Sequence, residues 1–169
     1  GLPLKIHAHR ADDILSAIRL CREYGVKYTV DHCTEGYKIA DILAREKVNC
    51  MIGPTMITRM KVELAGLSTE NGAILERHGL EVAITTDHPE TPVSLLAASA
   101  GLAVRGGMSR EAALRAVTVN PARMCSIKGI GTLEPGKDAD VVIFNGHPLD
   151  ICSRAVFVAV NGRVYINRL

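Results

Sequence analysis

Residues 2–32, "LPLKIHAHRADDILSAIRLCREYGVKYTVDH", decide the fold. The apolar start of this stretch predicts a buried strand that runs into His7. Apolar residues then recur at helical spacing from Ile14 onward, and the helix is expected to stop at Gly25. A second apolar run ends at His32. A strand, a helix and a second strand in this order predict two parallel strands joined by a crossover helix.

The same alternation of strand and helix recurs as far as residue 106. Two further strands are predicted in "VNCMIGP" and "LEVAITTDHP", and each precedes a helical segment. Four such units predict an α/β fold with a parallel sheet. Helices are also expected at "SREAALRAVTV", with Ser109 as N-cap, and at "NPARMCSI", with Asn120 as N-cap and Pro121 in the first position.

The pattern changes after Ile127. "GIGTLEPGKDADVVIF" and "AVFVAVNGRVYI" predict short strands joined by tight turns, and the Asn161-Gly162 dipeptide predicts a hairpin. We therefore divide the chain into a βα part, residues 1–126, and an all-β part, residues 127–169. The second part is too small to be stable alone, so it is expected to pack against other structure.

Composition narrows the class of protein. The net charge is only +2 and no Lys/Arg cluster stands out, so the sequence gives no support for a nucleic-acid partner. The longest apolar stretches are too short or too rich in small residues to span a membrane, and the N-terminus lacks a signal-peptide pattern. Five cysteines, an odd number without CxxC spacing, argue against a disulfide framework and indicate a cytoplasmic protein with free thiols.

Three residues suited to metal binding occupy equivalent places at the carboxyl ends of predicted strands: His7, His32 and Asp87. Because such ends meet at one edge of a parallel sheet, these side chains are expected to converge. Two neutral imidazoles and a carboxylate suit a divalent metal and leave positions open for water. Plainer interpretations stay open, since a strand-end histidine is often only a hydrogen-bonding loop residue, and Asp87 before His88 could cap the next turn.

Several motifs resemble the amidohydrolase superfamily, in its imidazolonepropionase-like and prolidase-like branch. They are "KIHAHR", "VDHCTEG", "AITTDHP" and "NPARMCSIKGIGTLEPGKDADVVIF". Residues 131–144, "GTLEPGKDADVVIF", match the family's G-x-[IL]-x-x-G-x-x-A-D signature and are the most specific of these motifs. The resemblance covers nearly the whole chain, and the motifs occur in the family's order.

The resemblance implies a metal-dependent (β/α)₈ TIM-type barrel with a small β-sandwich. It makes His7 the strand-five metal ligand and Asp87 the strand-eight aspartate, which is both metal ligand and general base. His32 becomes the strand-six histidine, which binds a second metal or polarises the substrate carbonyl. His9 has no fixed family role, but two positions from His7 it points to the same face. We take His9 and His88 as candidate substrate-binding residues, and the implied cofactor is zinc, with iron as an alternative.

The sequence departs from the family in one major respect. The family places an H-x-H pair on strand one and a lysine or glutamate on strand four, whereas "KIHAHRADDI" precedes the helix and histidine typical of strands five and six. We therefore predict the C-terminal half of the barrel, strands five to eight, followed by a small β-sandwich segment. The expected partners are the missing N-terminal half, or further copies in a homodimer or higher oligomer.

The resemblance implies a hydrolase that acts on a non-peptide or dipeptide-like C–N bond of a small amide or cyclic amide. A metal-activated water is the expected nucleophile, with Asp87 as general base. The isolated chain is expected to be weakly active or inactive. The alternative is a non-catalytic half-barrel that binds or self-assembles without turnover. A nucleotide-binding domain is disfavoured because no G-x-G-x-x-G or P-loop motif follows any strand.

Overall fold

Strands and helices alternate along the chain in the computed structural model, which describes residues 2–169. Four strands come first, and each is followed by a helix. These elements are β1 (Leu4–Ala8), α1 (Ala11–Tyr24), β2 (Tyr28–His32), α2 (Ala40–Arg45), β3 (Cys50–Ile52), α3 (Asn71–Arg77), β4 (Val82–Ile84) and α4 (Leu96–Arg105). Short 3₁₀ turns lie at Gly36–Ile39, Val62–Leu64 and Val93–Leu95. The predicted succession of four strand–helix units is confirmed.

The four strands form one parallel sheet in the order β1-β2-β3-β4. The register pairs Ala8 with His32, His32 with Ile52, and Ile52 with Ile84. The carboxyl ends of all four strands are therefore level with one another. Because the order of strands equals their order in the chain, β1 and β4 are the two edges of the sheet.

The apolar core lies between this sheet and its helices. Ile14 of α1, Leu43 of α2 and Leu75 of α3 are fully buried, and they cluster with Val30 and Val82 of the sheet. Burial of each such side chain contributes about 1.5–3 kcal/mol. This packing holds the strands in place and so determines where the strand ends lie.

The first helix stops where the sequence predicts. Gly25 has a φ of 61°, a left-handed conformation that glycine adopts at little cost. The N–H groups of Gly25 and Val26 donate to the carbonyl groups of Arg22 and Cys21, at 3.3 and 3.1 Å. Two carbonyls in the last turn of α1 are thereby satisfied, and the chain turns into β2.

Two more helices follow α4, namely α5 (Arg110–Ala116) and α6 (Val119–Met124). Ser109 caps α5 as predicted, because its Oγ accepts a hydrogen bond from the backbone N–H of Ala112 at 3.1 Å. The same Oγ lies 2.5 Å from Oε1 of Glu76 in α3. The cap therefore also joins α5 to α3.

The prediction for the start of α6 is wrong. The helix begins at Val119, so Asn120 lies inside it rather than at the N-cap, and Pro121 is not in the first position. Asn120 is buried, and its Nδ2 donates to the backbone carbonyl of Val82 at 2.9 Å. The Asn120 side chain is thus directed to β4 through Nδ2, and its Oδ1, the atom that an N-cap would use, accepts no hydrogen bond within residues 2–169.

The last part of the chain forms a three-stranded antiparallel sheet in the order β5-β6-β7. Its strands are β5 (Val141–Phe144), β6 (Ala155–Val160) and β7 (Arg163–Asn167). The predicted hairpin between β6 and β7 is confirmed. Asn161 and Gly162 at its tip have φ values of 49° and 74°, as a tight two-residue turn requires.

The segment around Leu149 anchors this all-β part on the helices. Leu149 is buried and belongs to the same apolar cluster as α1 and the parallel sheet. Gly101 of α4 lies so close to it that an added Cβ would stand 2.6 Å from the Leu149 carbonyl oxygen. The expectation that the all-β part packs against other structure is met here. Among residues 2–169, the helices are too short or too polar to cross a membrane.

Candidate functional site

Three histidine rings meet beyond the carboxyl ends of β1 and β2, and we call them the three-histidine cluster. The ring centroids are 4.2 Å apart for His7 and His32, 4.6 Å for His7 and His9, and 4.7 Å for His9 and His32. One ring nitrogen from each histidine lies within 4.8 Å of the other two. His9 and His32 are buried, whereas His7 is exposed.

A turn of the backbone at the end of β2 accompanies the entry of His32 into this cluster. The strand register places His32 beside Ala8 and Ile52, which both belong to the apolar core. At His32 the backbone leaves the extended conformation and takes a φ of 71°. Left-handed conformations of residues other than glycine carry strain and cluster at functional sites.

The ring of His32 is held by the loop that follows β3. Its Nδ1 lies 2.8 Å from the backbone carbonyl oxygen of Gly53. Because a carbonyl can only accept a hydrogen bond, Nδ1 carries the hydrogen and Nε2 keeps a free lone pair. Metal-binding histidines are commonly oriented in this way. Gly53 itself passes close to β4, since a Cβ there would lie 2.3 Å from the Thr85 carbonyl oxygen.

The loop after β2 holds His9 through both its side chain and its backbone. Nδ1 of His9 lies 2.7 Å from Oγ1 of Thr34, and both residues are buried. The carbonyl of His9 accepts a hydrogen bond from the N–H of Glu35 at 2.8 Å. Neighbouring residues of one loop thus define the orientation of His9.

Glu35 ties the same loop to the start of α1. Its Oε2 accepts a hydrogen bond from the backbone N–H of Ala11 at 3.0 Å, and its Oε1 accepts one from Nζ of Lys38 at 2.5 Å. The bond from Lys38 holds the pKa of Glu35 below its usual value. Gly66 packs against this carboxylate, since a Cβ at Gly66 would lie 2.6 Å from Oε1.

The surroundings favour the neutral imidazole at His7 and at His9. Burial is the main reason that the pKa of His9 is lowered to about 4, and the nearby His32 and His7 contribute to this shift. Burial also lowers the pKa of His7, and proximity to His32 adds to that effect. The neutral imidazole is the form that binds a divalent cation. The donor set therefore fits a metal such as zinc.

Asp87 follows β4 at the same edge of the sheet but is not a member of the three-histidine cluster. It is exposed, its φ is 49°, and its N–H donates to Oγ1 of Thr85 at 3.2 Å. Its charge acts on His7 by raising the pKa of that ring, against the effect of burial. His88, the next residue, is exposed. Of the predicted site residues, the structure therefore brings together His7, His9 and His32.

Sequence reasoning missed the residues that orient the cluster, namely Thr34, Glu35 and Gly53. Thr34 and Glu35 lie within the motif "VDHCTEG", so proximity to His32 was the available signal. Nothing in the sequence indicates that they contact the loop after β1. Gly53 follows the neighbouring strand, and its role depends on the register of β3 against β2.

A family model and several known proteins match this chain along nearly its whole length. The family model described as "Amidohydrolase family" matches residues 4–166. The imidazolonepropionase of Ruegeria pomeroyi is 29% identical over 173 residues, which cover 97% of this chain and 41% of that protein. The imidazolonepropionase of Rhizobium meliloti is 31% identical and covers 98% of this chain and 40% of that protein. The chain thus spans about 40% of the length of these relatives.

Solved structures share the fold. An amidohydrolase from Thermotoga maritima superposes with a TM-score of 0.92 at 41% identity, covering 98% of this chain and 44% of that chain. A Xaa-Pro dipeptidase with bound methionine in its active site superposes with a TM-score of 0.76 at 19% identity, covering 98% of this chain and 45% of that chain. The second likeness concerns the fold alone.

Proposed function

Because this chain belongs to the amidohydrolase family, we propose that it carries part of the active site of a metal-dependent hydrolase that cleaves a carbon–nitrogen bond. The observation that carries the proposal is the three-histidine cluster at the carboxyl edge of a parallel sheet. Ligand sites of α/β sheets lie at this edge. The predicted metal is zinc, with iron as the alternative.

The predicted metal ligands are His7, His32 and Asp87. When bound, a divalent cation supplies positive charge that polarises a carbonyl group and makes water more acidic. Nε2 of His32 has a free lone pair with which to bind the cation, because Nδ1 donates to the Gly53 carbonyl. Asp87 is the proposed general base: its carboxylate takes a proton from water and returns it to the leaving nitrogen. The exposure of Asp87 leaves that carboxylate accessible to water.

The proposed substrate is a small amide or cyclic amide, including dipeptide-like molecules. The two relatives described above carry the name imidazolonepropionase, which supports a small molecule rather than a polymer. His88 is the proposed substrate contact next to Asp87, and His9 is a second candidate. Nucleic acid and membrane are not proposed as partners.

We propose that β1–β4 correspond to strands five to eight of a (β/α)₈ barrel, formed by residues 1–126. Residues 127–169 then contribute strands to a small β-sandwich. This chain covers only 44% of the Thermotoga maritima chain, which supports a partial barrel. The complete site is expected to need residues from the rest of the relatives' length, so the 169-residue chain alone is expected to be weakly active or inactive. A cytoplasmic location is proposed from the free cysteines.

Hydrolysis by the product of the full open reading frame tests this proposal. The substrates are a cyclic amide such as hydantoin, a linear N-acyl amine and a Xaa-Pro dipeptide. We expect turnover of at least one, lost on chelation and restored by Zn²⁺. Asp87→Asn should lower kcat about 100-fold or more, because it removes the base.

His78→Gln is the matched control, because His78 lies at the exposed end of α3 with its Nδ1 near the Ile74 carbonyl. This variant should keep the kcat of the unsubstituted protein. Turnover that survives chelation, or that is unchanged in Asp87→Asn, would contradict the proposal. Absence of turnover on all three substrates would favour the non-catalytic half-barrel instead.

A further inference from the structure

His9 belongs to a well-defined arrangement that the predicted ligand set does not use. We propose that His9 is a direct ligand of the divalent cation, so that His7, His9 and His32 form a three-imidazole site within this chain, and that Thr34 is the positioning residue of His9. A role of this site in catalysis rests on the proposed function. Cation binding by the three imidazoles can be measured without turnover.

Ring geometry is the first argument. His9 is as close to its neighbours as they are to each other, with centroid distances of 4.6 Å to His7 and 4.7 Å to His32. Its ring is nearly parallel to that of His32, at 27°, and steep to that of His7, at 86°. One nitrogen from each ring falls within the same 4.8 Å group. A ring that only lined the substrate pocket would not need a nitrogen within 4.8 Å of the nitrogens of both other rings.

Orientation of the donor atoms is the second argument. Nδ1 of His32 is occupied by the Gly53 carbonyl and Nδ1 of His9 by the Thr34 hydroxyl, at 2.8 and 2.7 Å. When the Thr34 oxygen accepts from Nδ1–H of His9, Nε2 of His9 keeps its lone pair, as Nε2 of His32 does. Because both Nδ1 atoms are hydrogen-bonded, both Nε2 atoms remain for one cation. Both tying groups belong to loops that the sheet holds in place.

The donor atoms determine which cations suit the cluster. Charged groups of both signs lie near His7, with Lys61 opposed by Asp87 and Glu63. Imidazole nitrogen selects borderline cations such as Zn²⁺, Co²⁺ or Ni²⁺ over Mg²⁺ and Ca²⁺, which require oxygen ligands. Three imidazoles leave one tetrahedral position open.

Cation binding to the 169-residue protein tests the inference, with Co²⁺ as the probe. Metal-stripped protein is titrated by calorimetry and by visible absorption of the bound ion. We expect one Co²⁺ per chain, an affinity at least 100-fold lower in His9→Gln, and a loss of about 10–100-fold in Thr34→Val. Thr34→Ser, which retains the hydroxyl, should restore most of the affinity, and His78→Gln should bind like the unsubstituted protein.

Because His9 is buried, a readout on the unsubstituted protein accompanies the variants. X-ray absorption of the Zn²⁺-loaded protein should show three imidazoles on the metal. Two imidazoles with added oxygen, or unchanged Co²⁺ affinity in a folded His9→Gln variant, would overturn the role of His9. That result leaves the proposed hydrolase intact, since His7, His32 and Asp87 could still hold the metal. Conversely, three imidazoles on the metal without metal-dependent turnover of the complete protein would contradict the proposed hydrolase and support this metal site.

Discussion

At the scale of single residues, folding shifts the ionisation of His9 strongly. Its pKa falls from 6.5 to about 4 because the ring is buried, with repulsion from His32 second. Between these two values the unfolded chain binds more protons at this position than the folded chain. The free energy of unfolding therefore rises with pH across this window. The contribution of His9 to that free energy is lost as the pH falls towards 4.

We expect urea denaturation of metal-stripped protein to show this fall in stability from pH 6.5 to pH 4. His9→Gln removes the titrating group, so its stability should depend less steeply on pH in the same window. His78→Gln, on an exposed residue, should retain the slope. Identical slopes for His9→Gln and the unsubstituted protein would show that another group dominates.

Glu35 supports a second prediction at this scale. Glu35→Ala deprives the Ala11 N–H of its acceptor and Lys38 of its partner. We expect the free energy of unfolding to fall by about 1–2 kcal/mol, as for a lost helix cap. Glu35→Gln keeps an oxygen for Ala11 and should lose less. Chemical denaturation measures both variants, and Glu23→Ala on the exposed side of α1 is the control. Equal stability of Glu35→Ala and Glu23→Ala would refute the capping role.

The sequence predicts where His7 and His32 lie because both end parallel strands, and such ends share one edge of the sheet. The two-residue spacing also places His9 near His7. It does not reveal the left-handed backbone at His32 or the acceptor at Gly53. Those features depend on contacts between loops that only the assembled sheet brings together.

At the scale of secondary-structure elements, the contact between α4 and the loop before β6 offers a direct test of packing. Gly101→Ala would ordinarily favour a helix by about 1 kcal/mol. Here the new methyl group would meet the Leu149 carbonyl oxygen at 2.6 Å. Overpacking of this kind costs about 1–3 kcal/mol, so we expect net destabilisation and a lower midpoint of thermal unfolding.

Arg105→Ala, at the exposed end of the same helix, is the matched control and should change stability by less than about 0.5 kcal/mol. A gain in stability for Gly101→Ala would mean that the all-β part yields easily at Leu149. The need for such an anchor follows from the small size of the all-β part. Its position on α4 does not, because no local pattern links Gly101 to Leu149.

Helix α6 shows the limit of capping rules at this scale. An Asn-Pro pair ordinarily predicts a helix start, and Ser109 obeys the corresponding rule at α5. In α6 the Asn120 amide instead donates to the Val82 carbonyl in the core. The capping pattern thus holds at the exposed Ser109 and fails at Asn120, which is buried against β4.

At the scale of the whole molecule, β1 forms an edge of the parallel sheet that no second strand within residues 2–169 pairs with. A groove of about 590 Å³ runs beside this edge, between β1 and α1, and its lining includes Leu4, Leu20, Tyr24 and Val26. These four apolar side chains are exposed. An exposed strand edge beside apolar surface favours association. We therefore predict that the 169-residue chain self-associates.

Sedimentation velocity at micromolar protein concentration measures this association. Leu20→Glu places a charge in the groove and should raise the dissociation constant at least tenfold. Leu133→Glu, a substitution of another exposed leucine that does not line the groove, should leave it unchanged. A monomer under these conditions would mean that the edge is protected without a partner.

The sheet order has a consequence for how the protein is made. His7, His9 and His32 all belong to the first two strand–helix units, and Gly53 directly follows the third strand. Since chains are synthesised from the amino end, these groups leave the ribosome before β4 and the antiparallel sheet do. An ion bound at the proposed three-imidazole site is therefore within reach of the nascent chain before the remaining strands of residues 2–169 have been made.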